Sequence, residues 1–187
     1  EVGNTTTELN FTGQHRCLPS NTTTLKDLSA EVGKIVVSDG TQHEALINRF
    51  TGGVLKEQRR KVNISDARPK VKLSTVAKQK SVFGVVAEGE DEASATREFA
   101  VGAFVSVYEK DNEDHRVIIN SVGEGGIWVC NVSGNLENGD YITTSNIAGY
   151  GMKQDDDILH NYTVAKITMD CDFDLSPTDA AEELEKK

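Results

Sequence analysis

Several common features are absent from this chain of 187 residues. It has no run of eighteen or more apolar residues, so no segment is predicted to span a membrane. Its first ten residues are polar and rich in threonine, which is not the pattern of a signal peptide. Only 37% of the residues are hydrophobic, a small share for a monomer that must bury a core of its own. Because the apolar residues cluster in short runs, we expect a core, and the composition favours a chain that packs against copies of itself.

Positive charge is also scarce. The chain has 20 lysines and arginines against 30 aspartates and glutamates, which gives a formal net charge of −10. Nucleic-acid phosphates repel such a chain, and no basic stripe with interleaved aromatic residues offsets the repulsion. The one basic cluster is short, and we interpret it as a solvated surface; it comprises Lys56, Arg59, Arg60 and Lys61. Nucleic acid is therefore not an expected partner.

The chain also has few cysteines and no familiar catalytic signature. Cys17, Cys130 and Cys171 lack CxxC spacing, and small buried thiols are the favoured interpretation, with a Cys130–Cys171 disulfide as the alternative. The signatures of phosphate-binding loops, dinucleotide folds, zinc proteases and serine hydrolases do not occur. The four histidines are scattered without the spacing of metal ligands. We therefore predict no cofactor and no metal, and we do not expect a metabolic enzyme.

Three polar patterns have both a chemical and a structural interpretation. Ser74 and Lys78 have the spacing of a nucleophile and its base, but in an extended strand they lie about 13 Å apart, which favours the structural one. The run 155–157 is three aspartates that suit Ca²⁺, yet it lacks the spaced ligands of an EF-hand and is favoured as a solvated loop. Residues 141–150, rich in Thr, Ser and Gly beside two tyrosines, form either a binding face or a tight β-turn region of the core.

Strand signals dominate the middle and the end of the chain. Short β-rich runs recur at a spacing of roughly eight to twelve residues with turn residues between them, which predicts a mainly β barrel or sandwich. The runs are 33–38, 71–76, 81–87, 99–108, 116–122, 127–132, 141–145 and 162–168. Residues 41–69, with Gly52–Gly53 and Pro69, are predicted to be a long excursion with little regular structure.

The predicted organisation has three parts. Residues 1–31 form an irregular N-terminal arm, and residues 32–175 form a compact β-rich assembly domain. Residues 176–187 form a short helical tail, because Ser176-Pro177 resembles an N-cap followed by proline in the first turn.

Three stretches of the sequence resemble one known family. They are FTGQHR at 11–16, VGEGGIWVC at 122–130 and, most clearly, GNLENGDYITTS at 134–145 followed by GYGMK at 149–153 and YTVAK at 162–166. Together they are similar to the C-terminal intramolecular-chaperone domain of bacteriophage pre-neck appendage proteins, a self-cleaving domain of the glutamic autopeptidase type. Related sequences occur at the ends of fibre-like proteins in large viruses. The resemblance covers residues 11–173.

The resemblance implies a homotrimeric virion appendage domain, made in the host cell, that nucleates or caps the assembly of a fibre upstream of it. Its partners are then copies of itself, the upstream fibre segment and other virion proteins. The physical reason is that a fibre with long-range β pairing folds slowly unless a compact trimer sets its register. The alternative is a permanent structural or host-adsorption domain of the mature particle without catalytic activity.

The family also implies one chemical step, a single-turnover cut just before the N-terminus of the domain, in which acidic side chains are implicated. Glu1 and Glu8 are the nearest carboxylates in this chain. They can act as acid and base only if burial or pairing separates their pKa values, and exposed arm residues are the alternative. His15 and Arg16 are predicted to hold the arm through hydrogen bonds rather than to act in catalysis.

Overall fold

The computed structural model describes residues 13–20, 31–42, 45–51, 54–61, 69–90, 93–101, 104–109 and 116–174. Within these residues, β-strands dominate and the one helical element is a 3-10 turn at Asn131–Ser133, which confirms the predicted mainly β class. None of the helices in this part of the chain is long and apolar enough to cross a membrane. Glu1, Glu8 and the tail 176–187, where a helix is predicted, lie outside the described residues.

The described part of the chain contains twelve strands. In chain order they are β1 (Gln14–Pro19), β2 (Ile35–Gln42), β3 (Ala45–Thr51), β4 (Val54–Lys61), β5 (Pro69–Leu73), β6 (Val82–Gly89), β7 (Thr96–Val101), β8 (Phe104–Glu109), β9 (Val117–Asn120), β10 (Tyr141–Thr144), β11 (Gly151–Lys153) and β12 (Thr163–Lys166).

Five of these strands close into a barrel in the order β1-β5-β2-β6-β9. The barrel closes because β1 pairs antiparallel with β9 and parallel with β5. Its interior is filled by small and β-branched side chains that suit a narrow barrel, each at most 1% exposed: Cys17, Val36, Val71, Val86, Val117 and Ile119. At Gly84 a Cβ atom would overlap the backbone carbonyl of Asn120, so β6 and β9 approach more closely than a side chain permits.

A three-stranded sheet in the order β11-β10-β12 packs beside the barrel. Both outer strands run antiparallel to β10, so they are parallel to each other and the segment between them crosses one face of the sheet. Backbone hydrogen bonds join this sheet region to the barrel: Ile35 N donates to Gly149 O at 2.8 Å, and Gly149 N donates to Ser74 O at 2.9 Å. Ile35 and Ile142 are fully buried, which extends the core between the two sheets.

One barrel strand lies in the segment that the sequence predicts as an irregular arm. β1 occupies residues 14–19, so the prediction of irregular structure is wrong for these residues. Cys17 is the one fully buried residue of β1, and the alternation of apolar and polar residues that marks a strand is missing there. Residues 1–12 and 21–30 of the predicted arm lie outside the described part of the chain.

Three further expectations are corrected. Residues 41–69 contain a regular antiparallel hairpin, β3 with β4, rather than an irregular excursion. The predicted single strand 99–108 is a second hairpin, because β7 ends before Gly102 and β8 begins after it. Residues 127–132 do not form a strand; Val129 makes one isolated bridge to Gly151, and the 3-10 turn follows it.

Candidate interaction surface

An exposed tryptophan is held rigidly between the barrel and the three-stranded sheet. Trp128, the one tryptophan of the chain, is 54% exposed. Its indole Nε1 donates a hydrogen bond to Val32 O at 2.8 Å, and its backbone N donates to Gly33 O at 3.0 Å. Its carbonyl oxygen accepts from Gly151 N at 2.8 Å. An aromatic side chain fixed in this way loses little conformational entropy when a partner covers it, so it is preorganised for contact.

Gly33 is required for this placement of the ring. Its backbone has φ +84°, a conformation that residues other than glycine rarely adopt. A Cβ atom at this position would lie 2.9 Å from Cδ1 of Trp128. The indole therefore lies directly against the backbone of residue 33.

The neighbours of Trp128 are aromatic and balanced in charge. The ring centroids of Trp128 and Tyr150 are 6.4 Å apart with the rings tilted by 51°. Lys34 Nζ lies 5.7 Å from the centroid of Tyr150 and 3.0 Å from Glu31 Oε2. We refer to Val32, Gly33, Lys34, Trp128 and Tyr150 as the Trp128 surface. Tryptophan and tyrosine are the residues that most often dominate the binding energy of protein interfaces.

A second notable feature is the loop 155–160, which leads from β11 towards β12. Its backbone is organised by the buried side chain of Gln154, which is 3% exposed. Gln154 Nε2 donates to Ile158 O at 2.7 Å and to Asp156 O at 3.1 Å, while its Oε1 accepts from Thr163 Oγ1 at 2.7 Å. The loop is thus fixed from inside, yet Ile158 and Leu159 are 64% and 72% exposed.

Two of the three aspartates of this loop, Asp155 and Asp156, are hydrogen-bonded to nearby side chains. Lys78 Nζ donates to Asp155 Oδ2 at 2.6 Å, and this hydrogen bond holds the pKa of Asp155 below its ordinary value. The ring of His160 lies 3.0 Å from Asp156 Oδ2, and its hydrogen bond likewise lowers the pKa of Asp156. His160 in turn stacks on Tyr162, with ring centroids 4.6 Å apart. The three aspartates are exposed, as expected for a solvated loop, but the hydrogen bonds of Asp155 and Asp156 to Lys78 and His160 were not predicted.

The other residues singled out from the sequence have structural environments. Ser74 is fully buried, and Lys78 is bound to Asp155, so the two do not form a nucleophile–base site. Cys17, Cys130 and Cys171 are free thiols, and the alternative disulfide is not formed. Across the described ranges, no group of three His, Cys, Asp or Glu side chains could hold a metal ion.

Three remaining predictions concern the N-terminal residues and the turn region 141–150. The catalytic candidates Glu1 and Glu8 lie outside the described residues. His15 lies in β1 with its ring 5.3 Å from that of Phe83. In the region 141–150, residues 142–145 are buried, which agrees with a role in the core, whereas Tyr150 belongs to the Trp128 surface.

The Trp128 surface itself was not predicted from the sequence. The available signal was a single tryptophan two residues after Gly126, but residues 127–130 (IWVC) have the hydrophobicity of a buried strand. Only the fold shows that Trp128 is exposed and that Gly33, 95 positions earlier, supports it.

Comparison with known proteins adds no relative. No protein-family model matches the chain, and no match was found among the curated proteins or the solved structures.

Proposed function

We propose that the chain is an assembly domain, a homotrimer that nucleates or caps a fibre upstream of it in a virion appendage. The observation that carries the proposal is the Trp128 surface, which is exposed, aromatic and preorganised. A chain with a net charge of −10 repels its own copies, so contacts between copies are most favourable where local charge is balanced. The ion pair of Lys34 with Glu31 provides that balance beside Trp128.

The position of the motifs that resemble the appendage-protein domain supports the same function. The clearest stretch of resemblance, 134–166, folds as the unit that contains β10, β11 and β12. This unit is hydrogen-bonded to the barrel, so the two sheets form a compact body of the kind that can set the register of slower-folding chains.

The test is the oligomeric state together with the environment of Trp128. Light scattering on the purified full chain is expected to give the mass of a trimer. Because Trp128 is the one tryptophan, its fluorescence reports on the proposed surface alone. We expect blue-shifted emission and slow quenching by acrylamide at high concentration, and red-shifted emission on dilution as the copies separate. A mass of one chain at every concentration contradicts the proposal.

A second function, a permanent structural or host-adsorption domain, is also supported by the Trp128 surface, because an exposed aromatic pair can contact a host molecule as readily as another copy. Mass spectrometry of purified particles separates the two functions. Loss of this domain from mature particles supports a released chaperone, whereas its retention supports a permanent structural role.

Self-cleavage is proposed as an optional activity with Glu8 and Glu1 as candidates for the acid and the base. The chain is expressed behind a fibre segment, and the release of the domain is followed by electrophoresis and mass spectrometry. Glu8→Gln is expected to abolish release, and Glu1→Gln is tested in parallel. Unchanged release in the Glu8→Gln variant removes Glu8 from consideration.

A further inference from the structure

We propose that the hairpin of β3 and β4 is a binding site for a sulfated polysaccharide. The hairpin is a basic element of an acidic chain, because residues 45–61 contain five lysines and arginines and one acidic residue, Glu57. Their formal net charge is therefore +4, whereas that of the whole chain is −10. The hairpin of β7 and β8 has no such excess, since its strands contain one basic and two acidic residues. The site shares no residue with the Trp128 surface, and the proposal does not depend on the oligomeric state of the chain.

The structure changes the interpretation of the basic cluster at 56–61. From the sequence alone, this cluster is interpreted as a solvated surface within an irregular excursion. Its residues instead lie on one strand, β4, which pairs in antiparallel register with β3. The chain leaves the barrel at Gln42 and returns at Pro69, and these two residues are register partners. The hairpin is thus an insertion at one end of the barrel.

The register gathers basic residues on one face of the hairpin. Arg59 and Lys61 are two positions apart on β4, and both are paired with apolar residues of β3. Residues two positions apart on a strand share a face of the sheet and are about 7 Å apart. Arg49 lies on the same face, opposite Glu57. This face therefore offers a row of cations to the sulfate groups of a linear polysaccharide.

An anionic partner would stabilise this hairpin. Within the residues that the structure describes, β3 and β4 form a sheet of two strands only. A two-stranded hairpin is marginally stable in water, and like charges at neighbouring positions weaken it further. A polyanion bound along β4 replaces this repulsion with ion pairs. Arginine suits such a ligand, because its guanidinium group donates two parallel hydrogen bonds to one oxyanion.

Two observations favour a sulfated polysaccharide over a nucleic acid. Single-stranded nucleic acids stack their bases on aromatic residues, and the two strands contain one aromatic residue, Phe50. Phe50 is paired with Leu55 and lies on the face opposite Arg59. Outside the hairpin the chain is strongly acidic, so a long duplex that extends beyond it is repelled. An oligosaccharide as long as the eight residues of β4, about 26 Å, contacts the hairpin alone.

The test measures the binding of a heparin oligosaccharide to the purified chain by isothermal titration calorimetry. The same oligosaccharide without its sulfate groups is the ligand control. The variant Arg59→Gln/Lys61→Gln removes two positive charges from the basic face. Lys72→Gln/Lys80→Gln is the matched control, because it removes two positive charges from exposed residues outside the hairpin. Circular dichroism verifies the fold of each variant.

We expect the wild-type chain to bind the sulfated ligand at about 50 mM NaCl and not to bind the desulfated one. The affinity of Arg59→Gln/Lys61→Gln should be at least about tenfold lower, and that of Lys72→Gln/Lys80→Gln should stay within about twofold of wild type. Affinity should also fall as salt is added. The slope of log affinity against log salt concentration should be smaller by about 1.5–2 in the hairpin variant, because each lost ionic contact removes about 0.7–1.

Four results overturn the proposal. They are no binding of the sulfated ligand by the wild-type chain, equal binding of the desulfated ligand, equal losses in the two variants, and tighter binding of a single-stranded oligonucleotide of the same charge. The last result would assign the hairpin to nucleic acid instead. A wild-type chain that is monomeric contradicts the proposed homotrimer and leaves the binding of the ligand unchanged, so the two failures are distinguished.

Discussion

Replacing Gly33 with alanine tests whether the backbone of residue 33 positions Trp128. The added methyl group causes two separate problems. At φ +84° a residue with a Cβ atom is strained by about 1–2 kcal/mol. The Cβ would also lie 2.9 Å from Cδ1 of Trp128, so the ring must move and its hydrogen bond to Val32 O is weakened or lost. A lost hydrogen bond of this kind costs about 1 kcal/mol, and we expect a total of about 2–3 kcal/mol.

Gly40→Ala is the matched control. Gly40 has φ +85°, almost the same backbone conformation, but no heavy atom lies within 4 Å of its Cβ position. Alanine there should cost the backbone strain alone, about 1–2 kcal/mol. The difference between the two variants therefore measures the contact with Trp128.

Urea unfolding monitored by circular dichroism gives the free energy of unfolding of each variant. All proteins are compared at one low concentration, because assembly adds a stabilisation that depends on concentration. Trp128 emission should shift to longer wavelength in Gly33→Ala and stay unchanged in Gly40→Ala. Equal losses in the two variants within about 0.5 kcal/mol, with unchanged emission in both, would refute the reasoning.

Three further predictions follow from the fold. Gly84→Ala forces β6 away from Asn120 and should cost at least about 3 kcal/mol or prevent folding, as measured by thermal unfolding; a loss below about 1 kcal/mol would show that the barrel adapts. Gln154→Met keeps the buried volume but removes the hydrogen bonds to the loop, and faster amide exchange at Ile158 and His160 is expected, with exchange in β2 as the unaffected reference. The hydrogen bond from His160 lowers the pKa of Asp156, so its contribution to stability is complete above about pH 4 and is lost as the pH falls further. Wild-type protein should therefore lose more stability than Asp156→Asn between pH 5 and pH 3, and parallel curves for the two proteins would count against this contribution.

The strands with regular alternation were predictable from sequence. In β5 the run Val71-Lys72-Leu73 alternates as expected, with Val71 buried and Lys72 exposed. β1 could not be recognised, because a narrow barrel buries a single residue of that strand completely, Cys17, and local sequence does not show which strands close the barrel. The hairpin of β3 and β4 was missed for a related reason: Gly52–Gly53 was interpreted as part of a loop although the strands end on either side of it.

The position of the proposed interaction surface could not be predicted from the sequence. The sequence indicated self-assembly through its lean hydrophobic composition and through the resemblance of its motifs. It does not indicate the Trp128 surface, because Gly33, Trp128 and Tyr150 come together only through the packing of the barrel against the adjacent sheet. The aspartates at 155–157 illustrate the same limit, since Lys78 and His160 become their partners only in the fold.

Sedimentation equilibrium of the 187-residue chain tests the central claim most directly, because it measures mass without reference to shape. The chain has a mass of 20.4 kDa, so a homotrimer has three times that mass, about 61 kDa. We predict the trimer mass at micromolar concentration, with dissociation on dilution that parallels the red shift of Trp128 emission. A mass of 20.4 kDa at every concentration up to the solubility limit would contradict the assignment as an assembly domain.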